Sequence, residues 1–351
     1  MWTYDELKQS LAFPEAVDST MLSTFACPTK FFQEFILKRV PAGRSIDLHA
    51  GGLAARAFEV IRRGVFMDGL SLEEAKFQAW REFLVGWPIG LDPKEGSYKD
   101  FVNVWSAVEA YFKEYPPRED YFQPYIQADG SPSVEFKFAI PTRVLHPATG
   151  DPIFFAGRAD LLAQNEPGTC YVLDEKTTKA IGPSWPYQWD MRGQFYGYVH
   201  AARTIGFPCV GSVTRGIAIQ QTQFTFGEKV LLINKSQTDR WWENAQKKIE
   251  RMVDSYINTC LVVAEAESCG DPIEDCFPRV RECWDMAYND LCTNYGGCQF
   301  RDLCVSEVPW ELCYGWERRV WNPLAQDPTS ESEDRMSAMG MMSIDELMEG
   351  M

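Results

Sequence analysis

Apolar side chains recur at three- and four-residue intervals through the first third of the chain, which is the spacing of a helix with one buried face. The pattern predicts helices at about residues 28–40, 52–64, 71–87 and 97–115. Ser71 and Glu74 form a capping-box pattern at the start of the third helix, and Pro116 follows the end of the fourth. The N-terminal third is therefore predicted to be helical.

From residue 133 onward the apolar positions alternate with polar ones, as they do along a half-buried strand. Strands are predicted at residues 133–141, 152–164, 170–177 and 209–224, and helices at residues 187–205 and 237–260. The order is helix, three strands, helix, strand, so the predicted fold class is α/β (α+β), a mixed core behind an N-terminal helical extension. Residues 269–313 are rich in cysteine and are predicted to be loop-like.

Composition limits the class of protein. The chain has 351 residues, 45% of them apolar, so it can bury a large core. It has no apolar run long enough to span a bilayer, and its N-terminus, MWTYDELKQS, lacks the basic and apolar parts of a signal peptide. We therefore expect a soluble, cytoplasmic protein with no membrane partner. Thiols stay reduced there, so the 11 cysteines are considered first as metal ligands.

The formal net charge of −16 argues against a protein that coats nucleic acid electrostatically. Residues 326–351 account for −6 of it, which leaves −10 for the rest of the chain. Because the body is still acidic, any binding of DNA must use a local basic track and bound cations. The acidic tail lacks a core-forming pattern and is predicted to be disordered. It is either a docking peptide for a replication or recombination protein or a solubilising end.

Three adjacent charges follow an apolar run in the stretch CYVLDEKTTK, residues 170–179. Alternate side chains of a strand share a face, so Asp174 and Lys176 point to one side of the sheet and Glu175 to the other. The preceding strand carries Asp160 in the stretch GRAD. Two carboxylates on neighbouring strands suit Mg²⁺, and a lysine beside them can offset charge in phosphoryl transfer. The alternative is that these charges simply meet solvent at two strand ends.

The order of these motifs resembles the PD-(D/E)XK nuclease superfamily and, within it, the RecB-like exonuclease branch. The resemblance is carried by Asp160 in GRAD, by VLDEK on the next strand, and by a following helix with Gln194 and Tyr198 in the pattern Q-x-x-x-Y. It implies a restriction-endonuclease-like αβββαβ core and a compact, stand-alone protein of the phage type. With the cysteines described below, it extends from Cys27 to Cys304.

The resemblance assigns expected roles to the residues on the two strands. Asp160 and Asp174 are expected to hold Mg²⁺ or Mn²⁺, with the backbone carbonyl of Glu175 as a further ligand. Lys176 is expected to be the catalytic lysine.

The resemblance also assigns residues on two helices. Gln194 and Tyr198 lie at positions i and i+4 of one helix, on a face that contacts DNA or buttresses the site. Glu59 takes the place of the glutamate in the family's first motif. Many members carry a metal-binding histidine four residues before that glutamate, where this chain has Ala55. The site is therefore expected to lack a histidine, and His49 is expected to have a local structural role.

Three cysteines are separated by two successive gaps of five residues: Cys292, Cys298 and Cys304. Paired zinc ligands are usually separated by about two to four residues, so the spacing fits a Cys₄ iron–sulfur cluster better. The resemblance implies that Cys27 is the fourth ligand and that a 4Fe–4S cluster holds the two ends of the chain together. The alternatives are that these are ordinary apolar residues of a loop, or that Cys283 or Cys313 replaces one of them.

The long predicted helix carries Trp241 and Trp242, with Lys247, Lys248 and Arg251 further along it. The tryptophans could stack on single-stranded DNA, but large aromatic side chains are more often buried. We therefore predict that this pair belongs to the core.

These patterns predict four regions of the chain: a helical region at 1–130, a nuclease core at 131–260, an iron–sulfur segment at 261–325 and an acidic tail at 326–351. The first functional hypothesis is a Mg²⁺- or Mn²⁺-dependent DNA exonuclease acting on single strands or duplex ends in replication, recombination or repair. The second is a catalytically weak iron–sulfur protein that binds or assembles on DNA, motivated by the missing histidine and the acidic charge. A redox iron–sulfur protein is a third, which leaves the paired carboxylates unexplained.

Overall fold

The computed structural model describes residues 3–42, 46–87, 97–165, 168–221, 223–293, 297–306 and 315–323. The α-helices in these ranges are α1 (Tyr4–Ser10), α2 (Ser19–Thr24), α3 (Pro28–Phe31), α4 (Ile46–Phe66), α5 (Leu72–Gly86), α6 (Phe101–Glu114), α7 (Gly193–Ile205), α8 (Lys235–Cys269), α9 (Ile273–Glu282) and α10 (Arg301–Ser306). None of these helices is long and apolar enough to cross a membrane. The predicted acidic tail and Cys313 lie outside the described residues.

The strands are β1 (Ala16–Val17), β2 (Arg39–Pro41), β3 (Gln123–Pro124), β4 (Phe136–Leu145), β5 (Pro152–Ala159), β6 (Leu161–Gln164), β7 (Cys170–Thr178), β8 (Cys209–Ile219), β9 (Phe224–Leu232) and β10 (Trp316–Arg318). The largest sheet has the strand order β3-β6-β7-β8-β9. Strands β7 and β8 run parallel and are joined through α7, since a parallel pair needs a crossover. The sequence of α4, β4, β5–β6, β7, α7 and β8 confirms the predicted mixed α/β class and its αβββαβ order.

The second predicted strand, residues 152–164, is not one straight strand. Its first part, β5, ends at Ala159 and pairs with β4, whereas its second part, β6, begins at Leu161 and pairs with β7. Asp160 alone separates the two parts. The chain therefore passes from one sheet to the other at the residue that was predicted to bind metal.

The predicted strand at 209–224 is also too long, because the chain turns after Ile219. The backbone N–H of Gln220 donates to the carbonyl oxygen of Gln223 at 3.3 Å, and β9 then runs back antiparallel to β8. The sequence pattern did not predict β9 as a separate strand. This strand adds an edge to the sheet beyond β8.

Five predicted helices have different bounds, and the one predicted at 52–64 is the longer α4, Ile46–Phe66. The helix predicted at 187–205 begins only at Gly193 and follows the 3₁₀ turn Trp185–Trp189, whose two terminal tryptophans are buried. The helix predicted from residue 97 begins after Asp100, whose side chain caps it. The one predicted at 28–40 is α3 followed by a π-helical turn, and it ends before β2. The long helix α8 continues to Cys269, and α9 and α10 follow it, so part of the predicted cysteine-rich loop is helical.

The two faces of the largest sheet are covered by different helices. Val172 on β7 belongs to a core that also includes residues of α7 and α8, such as Phe195 and Ile249. Ile217 on β8 belongs to a second core with residues of α4, α5 and α6, such as Phe58. Since alternate residues of a strand point to opposite faces, Asp174 and Lys176 lie on the α7 face and Glu175 lies on the α4 face.

The two ends of the described chain are held against each other. Strand β10 pairs antiparallel with β2. The backbone N–H of Thr29 donates to the carbonyl oxygen of Asp285 at 3.1 Å, and the ring of Phe32 stacks on Trp284 at a centroid distance of 5.0 Å. Protein contacts alone therefore bring the segment after Cys27 next to the cysteine-rich segment.

Candidate active site

Asp160 and Asp174 lie at the same level of neighbouring strands. The pairing of Leu161 with Leu173 brings the bend at Asp160 opposite Asp174. The carboxylate oxygen Oδ2 of Asp160 accepts a hydrogen bond from the backbone N–H of Glu175 at 2.7 Å. The side chain of Asp160 is therefore turned toward β7, and the structure brings the two predicted metal ligands together.

Burial raises the pKa of Asp160 well above its ordinary value, and the charges of Asp174 and Glu175 raise it further. Burial also raises the pKa of Asp174, although the charge of Lys176 opposes the rise. Burial lowers the pKa of Lys176, but the charges of Asp174 and Asp160 outweigh this, and the net shift is upward. The site therefore holds crowded carboxylates beside a charged lysine, an arrangement that a divalent cation would stabilise.

The oxygen Oδ2 of Asp174 is buried and forms an ion pair with the ammonium of Lys176. Among the described residues it accepts no hydrogen bond of regular geometry. A buried oxygen that accepts no regular hydrogen bond is available to a cation. Within the described ranges, no three His, Cys, Asp or Glu side chains could together hold a metal ion. A cation here would thus use two carboxylates, backbone oxygen and water, which fits the preference of Mg²⁺ for oxygen ligands and retained waters.

Gln194 and Tyr198 lie beside Asp174 on α7. The amide nitrogen Nε2 of Gln194 lies 3.4 Å from Oδ1 of Asp174 and donates to the hydroxyl oxygen of Tyr198 at 3.0 Å. Burial raises the pKa of Tyr198, so its hydroxyl stays neutral. In this arrangement the Q-x-x-x-Y pair supports Asp174 from within the protein.

Glu175 points to the opposite face of the sheet, where sequence reasoning predicted no partners. Both of its carboxylate oxygens accept from the guanidinium of Arg62, and the hydroxyl of Tyr111 donates to one of them at 2.7 Å. Burial raises the pKa of Glu175, but Arg62 and Tyr111 lower it more, so the carboxylate stays charged. The sequence does contain a signal, since Arg62 lies four residues after buried Phe58 and on the same helix face.

A second buried arginine continues this network. Arg215 on β8 donates to Oδ1 of Asp120 at 2.7 Å and to Oε2 of Glu228 at 2.8 Å. Its guanidinium lies 3.9 Å from the ring centroid of Tyr115, and it donates to the hydroxyl of Tyr111 at 3.3 Å. The face behind Asp174 and Lys176 is thus an extended ionic network that includes Glu175 through Tyr111.

Glu59 lies on α4, which packs on the Glu175 face. Its carboxylate pairs with Arg56 at 3.0 Å and with Arg63 at 3.4 Å. The described contacts of Glu59 therefore lie on its own helix and not at the paired aspartates. His49 Nε2 lies 2.9 Å from the carbonyl oxygen of Gly86 at the end of α5, which is the local structural contact expected for it.

Trp241 and Trp242 belong to the core side of α8, as predicted. Trp241 packs edge-on against Phe155 with ring centroids 5.3 Å apart. A Cβ atom on Gly197 of α7 would lie 2.6 Å from the Trp241 ring, so a glycine is needed there for α7 and α8 to approach. These tryptophans are therefore packing residues of the helix pair.

The four cysteines predicted to bind a cluster lie near one another. Burial, and after it the neighbouring thiols of Cys27, Cys298 and Cys292, raise the pKa of Cys304 to about 11. Cys27 precedes α3 as its N-cap residue, and the backbone N–H of Cys298 donates to the carbonyl oxygen of Cys292 at 3.1 Å. The four thiols lie in one region, but within the described residues they are not close enough together to hold a metal ion.

No family model and no curated protein matches the chain. Among solved structures, a "Putative exonuclease" from Eubacterium rectale is similar with a TM-score of 0.40 and 13% identity, over 68% of this chain and 80% of that one. The protein SSO0001 is similar with a TM-score of 0.26 and 12% identity, over 69% of this chain and 80% of that one. Likenesses of this size assign no activity to the chain.

Proposed function

We propose that the protein is a divalent-metal-dependent DNA exonuclease, a phosphodiester hydrolase of DNA replication, recombination or repair. The observation that carries the proposal is the convergence of Asp160, Asp174 and Lys176 on one face of a sheet with αβββαβ order. Crowded carboxylates with raised pKa values and a charged lysine are a costly arrangement for a structural role alone. DNA as the substrate follows from the resemblance of the motifs.

Each residue of the site has a proposed role. Mg²⁺ or Mn²⁺, held by Asp160, Asp174 and the backbone carbonyl of Glu175, would supply positive charge to the scissile phosphate and lower the pKa of a water molecule. Lys176 orients that water and offsets negative charge that develops in the transition state. Gln194 keeps Asp174 in place from α7.

Digestion of end-labelled single-stranded and duplex DNA with Mg²⁺ or Mn²⁺, and with EDTA as the metal-free control, tests the proposal. We expect Lys176→Ala to lower cleavage by about 100-fold or more while DNA binding persists. Lys235→Ala is the matched control, because Lys235 is an exposed lysine on α8 that pairs with Asp239 one turn along the helix. Digestion by Lys176→Ala at the wild-type rate would contradict the proposal.

A catalytically weak protein that binds or assembles on DNA is the second candidate. It is favoured by the lack of a histidine four residues before Glu59 and by the direct ion pair between Lys176 and Asp174. The same assay separates the two candidates. Wild-type protein that binds DNA but digests neither substrate with either metal would support the second.

We also propose that Cys27, Cys292, Cys298 and Cys304 hold a 4Fe–4S cluster with a structural role. The support is that three partly buried thiols lie near the thiol of Cys304, in the region where the two ends of the chain are already joined. Anaerobically purified protein is expected to be brown and to contain iron and sulfide, and Cys304→Ser is expected to lose both. The matched control is Cys269→Ser, since Cys269 is exposed at the end of α8. Colourless wild-type protein without iron or sulfide would exclude the cluster.

The acidic tail at 326–351 is proposed to dock a replication or recombination protein. Deletion of the residues after Asn322 is then expected to leave digestion of naked DNA unchanged. Loss of that activity would contradict a purely docking role.

A further inference from the structure

The segment between β7 and α7 holds two large side chains out into solvent. Tyr187 is 71% exposed and Met191 is 86% exposed, whereas Trp185 and Trp189 of the same segment are buried. Exposed aromatic and apolar side chains that stand close together on a folded surface often mark a binding site.

The segment that carries these two exposed residues is anchored to the sheet beneath it. Gly216 on β8 pairs with Gly227 on β9, and Trp185 lies over both. A Cβ atom on Gly216 would lie 2.3 Å from Cζ2 of Trp185, and one on Gly227 would lie 3.2 Å from Cζ3. The paired glycines therefore form a recess that the indole of Trp185 fills together with the side chain of Ile181. The segment is held down on the sheet with Tyr187 on its outer side.

The anchor lies on the same face of the sheet as the catalytic residues. Residues that pair across neighbouring strands point to the same face. One row across the sheet contains Lys176, Gly216 and Gly227. Trp185 covers the part of this row that lies on β8 and β9. The segment that Trp185 anchors therefore lies beside Lys176 on β7.

The next row places a cation under the exposed tyrosine. It contains Asp174, Thr214 and Lys229. The ammonium of Lys229 pairs with Asp190 at 2.8 Å and lies 5.9 Å from the centroid of the Tyr187 ring. Tyr187 therefore stands over the outer strand of the sheet, on the face that carries Asp174.

A second cation, Arg192, lies at the end of this segment, directly before α7. Arg192 is exposed, and its charge lowers the pKa values of both Asp174 and Lys176. Lys229 is already paired with Asp190, so Arg192 supplies the exposed positive charge of this segment in a chain whose net charge is −16. A cation beside a phosphodiester site favours the phosphates of the strand that is being cleaved.

We infer that the segment Trp185–Arg192 is a binding subsite for unpaired bases of a single-stranded DNA end. The inference rests on the proposed nuclease function. A base stacks on the ring of Tyr187, Met191 packs against it, and Arg192 attracts the flanking phosphate. A duplex exposes base faces only at its terminal base pairs, and two exposed side chains are too small a surface for a stable protein partner. The site therefore selects a strand whose terminal bases are unpaired.

The test measures the affinity of the full-length protein for a fluorescein-labelled single-stranded oligonucleotide by fluorescence anisotropy. All proteins carry Lys176→Ala, so the DNA stays intact. We expect Tyr187→Ala to weaken binding roughly 5- to 150-fold, the range found for the loss of one stacked base, and Tyr187→Phe to restore it. The matched control is Tyr121→Ala, because Tyr121 is 65% exposed next to β3 at the opposite edge of the sheet.

The outcomes separate the inference from the proposed function. Equal affinities of Tyr187→Ala and Tyr121→Ala, with cleavage by the Lys176-containing protein intact, would overturn the inference and leave the nuclease function standing. An equal loss on a covalently closed circular duplex would also overturn it, since that DNA has neither an end nor an unpaired base. A protein that neither binds nor cleaves DNA would overturn both. Selective loss on single strands, rescued by phenylalanine, supports the subsite.

Discussion

Arg62 on α4 and Glu175 on β7 form a buried ion pair directly behind the paired aspartates. Their side chains are 6% and 1% exposed, and Nη1 of Arg62 donates to Oε2 of Glu175 at 3.2 Å. The backbone N–H of the same Glu175 donates to Asp160. The pair therefore holds one peptide unit from behind while that peptide orients a predicted metal ligand in front.

Substitution of Arg62 by methionine is expected to lower the free energy of unfolding by about 3–5 kcal/mol, because it leaves the carboxylate of Glu175 buried without its partner. Arg63→Met is the matched control on the next residue. Arg63 is exposed, so its loss is expected to cost no more than about 0.5 kcal/mol. Urea unfolding measures both changes.

The positioning role of Arg62 has its own readout. Titration of the folded Arg62→Met variant with Mn²⁺ is expected to show about 10- to 100-fold weaker binding than wild type, as for the loss of other groups that orient metal ligands. Unchanged Mn²⁺ affinity, with the stability loss still present, would assign Arg62 a purely structural role.

Asp160→Asn is expected to stabilise the metal-free protein while removing the proposed nuclease activity. Burial raises the pKa of Asp160 in the folded state, so the folded carboxyl holds its proton more tightly than the unfolded one. The metal-free protein therefore loses stability as pH rises from about 4 through the folded-state pKa. Asparagine carries no such penalty, and the gain is expected to be on the order of 1 kcal/mol near neutral pH.

Urea unfolding of wild type and Asp160→Asn in EDTA at several pH values measures this difference, which is expected to grow with pH. Addition of Mg²⁺ is expected to stabilise wild type only. A variant that is less stable than wild type at every pH would show that the buried, charged carboxylate of Asp160 does not destabilise the folded protein.

His200 on α7 is expected to make stability sensitive to mild acid. Its ring stacks on Trp242 at a centroid distance of 4.6 Å, and burial lowers its pKa to about 4. The unfolded histidine takes up a proton near pH 6.5, so the contribution of neutral His200 is present above that pH and is lost as pH falls toward 4. After allowance for solvent screening of a partly exposed ring, the loss is roughly 1–2 kcal/mol.

His200→Phe keeps a ring against Trp242 but cannot take up a proton. The difference in unfolding free energy between wild type and this variant, measured by urea unfolding, is expected to shift in favour of the variant between pH 7 and pH 4. A difference that stays constant over this range would contradict the lowered pKa of His200.

Gly216→Ala is expected to lower the free energy of unfolding by about 1–3 kcal/mol, because its Cβ would collide with the indole of Trp185. Gly52→Ala provides a contrast of opposite sign. Gly52 lies inside α4 with nothing within 4 Å of an added Cβ, so alanine is expected to stabilise the helix by about 1 kcal/mol. Thermal unfolding of the two variants measures both changes, and a stable Gly216→Ala protein would contradict the proposed anchor.

The sequence alone predicted which side chains of β7 share a face, because that depends on local periodicity. Alternation along a strand places Asp174 and Lys176 on one face whatever the rest of the fold does. The order of the elements likewise placed Asp160 on the strand next to them, since consecutive antiparallel strands are usually neighbours. The Q-x-x-x-Y spacing placed Gln194 and Tyr198 on one face of a helix.

Only the tertiary structure decided which partners these residues contact. Arg62 and Glu175 are 113 positions apart, and the packing angle of α4 on the sheet selects this contact among many that the sequence would allow. The bend at Asp160, the returning strand β9 and the glycine recess under Trp185 arise in the same way, from contacts between strands and turns that are distant in the chain. Local periodicity thus determined which side chains share a face, and long-range packing decided their partners, burial and charge.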